Sequence, residues 1–66
     1  MQRIKEYQKV NGLTQQDLAR TFKISVSMMS MLATSQRLPS LPLAVLIEEE
    51  TMGFVAPRDW IREASE

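Results

Sequence analysis

The run TQQDLARTFKISVSMMSML, residues 14–32, limits what this chain can fold into more than any other stretch. Leu18, Ala19 and Phe22 recur at the spacing of one helical face, Met29 and Leu32 at the spacing of a second, and Ile24 lies where the two periods break. The pattern predicts two short helices, residues 15–22 and 26–34, with a turn of about 3–4 residues between them. Helices crossing steeply over so short a link approach most closely at a small side chain, which assigns Ala19 to the crossing. Both helix starts carry their own signal. Thr14, with Asp17 three residues later, forms a capping-box pattern, and Ser25 offers its hydroxyl to a free N–H of the second helix, a contact typically worth ~1 kcal/mol. The small residue, the tight turn and the two caps together specify a helix-turn-helix.

With 66 residues the chain is one domain, residues 1–66, near the lower limit for a self-sufficient core and too short for a separate catalytic or ligand domain. It contains no Cys and no His, which excludes disulfides, thiol or imidazole nucleophiles and His-based metal sites. No catalysis, cofactor, metal or small-molecule ligand is expected. No apolar run approaches the ~20 residues of a membrane span, and the start MQRIKEYQK is too charged for a secretion signal, so a cytoplasmic protein without membrane contact is expected.

The formal net charge of zero conceals a division. Residues 1–40 carry six basic side chains (Arg3, Lys5, Lys9, Arg20, Lys23, Arg37) against two acidic ones (Glu6, Asp17), a balance of +4. Residues 41–66 carry two basic against six acidic, a balance of −4. Such a dipole turns the half containing the paired helices toward phosphates.

Around that pair, a first helix is predicted over residues 2–10, with Ile4 and Tyr7 inward and Asn11–Gly12 as its stop signal. Residues 35–39 form a loop. Ser40 caps a fourth helix with Pro42 in its first turn, and Leu43, Val45, Leu46 and Ile47 make it the expected central core helix, ending near Met52–Gly53. Ala56–Pro57 opens a short last helix carrying Trp60 and Ile61. Met29 reads as core, Met28 is open between core and surface, and the run Glu48-Glu49-Glu50 is a solvated face, since neighbours on a helix diverge by about 100°.

GLTQQDLA, residues 12–19, resembles the opening signature of the Cro and repressor family of temperate phages. RLPSLPLAVLIEEETMGFVAPRDWI, residues 37–61, resembles the downstream half of a small Cro-like subgroup, so the likeness covers nearly the whole chain. It implies an all-α, five-helix, lambda-repressor-like DNA-binding domain. By the same resemblance the chain is a transcriptional regulator, a phage or prophage repressor that binds double-stranded DNA at a near-palindromic operator as a homodimer. One departure is Lys23, where the family usually has Gly; a positive φ there makes Lys costly by ~1 kcal/mol.

The resemblance also assigns roles. Val26, Ser27, Ser30 and Met31 become base-contacting positions, the two apolar ones suited to thymine methyls and the serines to several base edges. Gln15, at the first turn of helix 2, becomes a phosphate contact that braces helix 3, and Gln36 and Arg37 become phosphate contacts in the following loop. Arg20 and Lys23 flank the turn and add cations near the duplex. Trp60 reads as a lid on the core, with a place in the dimer interface open beside it. That interface is expected around helix 4 and residues 54–61, with Phe54 and Trp60 as its residues. The sparse hydrogen-bonding set on helix 3 leaves room for readout of DNA shape. It also keeps a rival reading open, a protein-interaction module or antitoxin whose helix 3 docks in a partner's groove.

Overall fold

The computed structural model describes the backbone of residues 1–64 and the side chains of residues 1–61. Five helices follow one another: α1 (Gln2–Asn11), α2 (Gln15–Thr21), α3 (Val26–Ala33), α4 (Leu41–Glu50) and α5 (Pro57–Ala64). Among the described residues there is no strand, and no helix is long and apolar enough to cross a membrane.

The helix starts follow the sequence chemistry. Thr14 Oγ1 accepts the Asp17 N–H at 3.1 Å while Asp17 Oδ2 accepts the Thr14 N–H at 3.0 Å, a complete capping box. Ser25 and Ser40 accept from the Met28 and Leu43 N–H groups at 3.0 and 3.4 Å. Asp59 Oδ2 accepts the Ala56 N–H at 2.8 Å and holds the start of α5. The helix ends differ from expectation by one to three residues, for one shared reason. Gly12, Lys23, Ser35 and Met52 all take left-handed φ values of 64°, 59°, 61° and 55°. Each is followed by a residue whose N–H reaches back to the helix, as Ile24 to the Ala19 carbonyl at 2.9 Å and Gly53 to the Glu48 carbonyl at 2.8 Å. Phe22 and Thr34 are therefore caps and not interior helical residues, and α4 stops at Glu50.

The core is built mainly from the first three helices. Ile4, Leu18, Ala19, Phe22, Met29, Leu32 and Ala33 are buried together, with Tyr7, Leu13, Ile24 and Met28 packed at the margin. α2 and α3 share the most extensive packing in the molecule. The chain start is tied into this unit, because the Met1 ammonium donates to the Ala33 carbonyl at the negative end of α3. α4 is not the central core helix that its composition suggested. Only Ala44 and Ile47 are buried on it, while Leu41 and Val45 stay exposed. A helix apolar on most of its faces needs neighbours all round, and α4 packs chiefly on α5.

One contact that the sequence did not announce joins the halves. Arg3 donates from Nε and from its terminal nitrogen to the Phe54 carbonyl at 3.0 and 2.8 Å, with its guanidinium 4.2 Å from the centre of the Phe54 ring. The buried hydroxyl of Thr51 donates to the Ile47 carbonyl at 2.7 Å and accepts the Val55 N–H at 3.1 Å, fixing the reversal after α4.

Candidate nucleic-acid interface

α3 is eight residues long, and its side chains divide by angle. At about 100° per residue, Met29, Leu32 and Ala33 occupy one arc and face the core, while Val26, Ser30, Ser27 and Met31 occupy an adjoining arc of roughly 140°. Val26 and Ser27 are exposed and Ser30 and Met31 half-buried, so the four positions share one face that the core does not use. The Ser25 cap and the Lys23 turn set the rotation of that face, because together they fix the residue at which α3 begins.

Exposed cations stand at both ends of α3. Arg20 lies in the last turn of α2 and Lys23 in the turn before α3, whereas Arg37 follows α3 in the loop. Lys23 takes the left-handed conformation that glycine adopts at least cost. Gln15 is half-buried at the first position of α2. The exposed Gln36 amide donates one N–H to Thr34 Oγ1 at 3.0 Å. Arg3, counted among the cations of this half, is committed to Phe54. The charge of Asp17 is favoured locally: the Thr14 N–H and hydroxyl hold its carboxyl below the ordinary aspartate range, with a smaller contribution from Arg20.

The two residues assigned to a dimer interface are not brought together on the surface. Trp60 is 3% exposed and belongs to the core, its indole N–H buried with no acceptor among the described residues. A ring that its own chain has already buried has almost no surface left for a partner. Phe54 is half-buried against Arg3 and Tyr7, the Tyr7 ring centre 5.7 Å away. Exposed apolar surface in the C-terminal half lies instead at Leu41, Val45, Met52 and Ile61, with Leu38 just before α4. The sequence did carry a cue to it: residues 41–47, LPLAVLI, are apolar on more sides than one neighbouring helix can cover.

No protein-family model, curated protein or solved structure matches the chain.

Proposed function

We propose that α2 and α3 form a helix-turn-helix of the lambda-repressor type and that the protein is a DNA-binding transcriptional regulator, a Cro-like repressor that occupies a near-palindromic operator as a dimer. The observation that carries this reading is the outward arc of α3, Val26, Ser27, Ser30 and Met31, free of any core role and flanked at both ends by exposed cations. In this reading α3 enters the major groove. Ser27 and Ser30 offer hydroxyls that both donate and accept, and Val26 and Met31 present apolar surface to thymine methyls. Lys9, Arg20, Lys23 and Arg37 neutralise phosphates along the flanking backbone, which positions the protein without reading sequence.

The deciding experiment is titration of fluorescent duplex DNA at several salt concentrations, after selection of a binding sequence from a random pool. If a dimer makes about six phosphate contacts, log affinity falls with log salt at a slope of about −5. Ser27→Ala and Met31→Ala shift base preference by about 1–3 kcal/mol at particular positions, while Arg37→Ala weakens all sequences alike. Absence of binding to any duplex at low salt removes the reading and moves α3 to a protein-docking role, as in an antitoxin.

A further inference from the structure

Around the outward arc of α3 the four side chains fall in the order Val26, Ser30, Ser27, Met31, so two hydroxyls stand between two apolar groups. No amide, carboxylate or guanidinium lies among them. The nearest cations, Lys23 and Arg37, stand in the turn before the helix and the loop after it. We infer that this arc selects duplexes by the methyl group at C5 of a pyrimidine, taking thymine and 5-methylcytosine alike. The inference rests on the DNA-binding reading and deepens it, by naming what the site reads.

In the major groove the two pyrimidines differ at two places. Thymine shows an O4 acceptor and a C5 methyl group, whereas cytosine shows an N4 amino donor and a C5 hydrogen. A fixed donor or acceptor would separate them at the first place, and the arc has none. A serine hydroxyl donates or accepts as it turns about its C–O bond. The hydroxyls of Ser25 and Thr34 are engaged, with the Met28 N–H and the Ser30 carbonyl, but those of Ser27 and Ser30 have no partner among the described residues. Each meets O4 or the amino group equally well, so that difference goes unread.

The methyl group is what remains to be read. Val26, 48% exposed, and the half-buried Met31 present apolar surface that gains by covering a methyl group and gains little over a bare C5 hydrogen. The two residues are five positions apart, about 7.5 Å along the helix axis against the roughly 3.4 Å between stacked bases. They therefore meet different base pairs, which makes two methyl groups the signature of each half-site.

The test starts from the duplex selected out of a random pool. Each thymine of one half-site is replaced in turn by uracil opposite adenine, by cytosine opposite guanine and by 5-methylcytosine opposite guanine, and affinity is titrated at fixed salt. At two positions uracil and cytosine weaken binding about fourfold, the worth of one covered methyl group, while 5-methylcytosine stays within about twofold of thymine. Val26→Ala abolishes the uracil penalty at one of these positions and Met31→Ala at the other, with circular dichroism checking that both variants fold. Uracil equal to thymine at every position, 5-methylcytosine no better than cytosine, penalties that persist in both variants, or a selected half-site without thymine would each overturn the inference. Any of these results on a duplex that still binds leaves the DNA-binding reading standing. Failure to bind every duplex at low salt refutes that reading, and the methyl readout with it.

Discussion

In residues 1–40 the apolar side chains of α1, α2 and α3 close on one another, and what remains outside is mostly polar. In residues 41–61 the apolar side chains are denser, yet Leu41, Val45, Met52 and Ile61 stay outside while Ala44, Ile47, Val55 and Trp60 are buried. The difference lies in spacing. Leu18, Ala19 and Phe22 mark a single stripe that one neighbour covers, whereas LPLAVLI wraps around α4 and leaves a remainder. The caps follow the same division, with a complete box at α2 and a long 3.4 Å contact at α4. The first half closes most of its core and leaves Val10, Val26 and Leu38 exposed among polar neighbours, whereas the second leaves Leu41, Val45, Met52 and Ile61 exposed in a shorter stretch.

The sharpest test sets two adjacent residues of α5 against each other. Trp60→Ala removes a buried ring and costs about 3–5 kcal/mol, enough to unfold a domain of this size in denaturant or heat scans. Ile61→Ala, one residue on, changes stability by no more than about 0.5 kcal/mol. Similar melting of the two variants would erase the distinction between the buried and exposed sides of α5.

The next effect belongs to the first half. Ala19→Leu overfills the buried position from which the carbonyl receives the Ile24 N–H, and lowers stability by about 1–3 kcal/mol in thermal melts. An unchanged midpoint would mean that the space around Ala19 is not closely filled.

Smaller and opposite in sign are the left-handed positions. Lys23→Gly and Met52→Gly each relieve a positive φ and stabilise by about 1 kcal/mol. If the protein binds DNA as proposed, replacing Met52, 94% exposed in the acidic half, leaves duplex affinity unchanged, while Lys23→Gly weakens it by removing a cation beside α3. Equal affinities for the two variants would detach Lys23 from the proposed interface.

The smallest effect is tied to pH. The folded state holds the Asp17 carboxyl below its ordinary value, chiefly through the Thr14 N–H and hydroxyl. Its contribution is therefore complete above the ordinary aspartate pKa near ~4 and is lost as pH falls through the lower folded value. Denaturant midpoints measured from neutral to acidic pH fall less steeply in Asp17→Asn than in the parent, and identical curves would show that the capping box does not contribute.

Legibility followed the range of the interactions. The caps at Thr14, Ser25 and Ser40, the burial of Ile4 and Met29 and the outward arc of α3 were readable because each depends on residues three or four positions apart. The Arg3 clamp on Phe54, 51 residues away, was not. It depends on which partner the folded chain supplies, and composition does not name that partner.

Sequence alone determined five helices near their observed places, the side of α2 and α3 that turns inward, and the opposite charges of the two halves, because helical period and capping are local properties. Only the tertiary structure decided that α4 lies at the margin and that Leu41 and Ile61 line an open cleft. Periodicity states how much apolar surface a helix offers. Burial depends on how many neighbours arrive to cover it, and among the described residues α4 packs chiefly on α5.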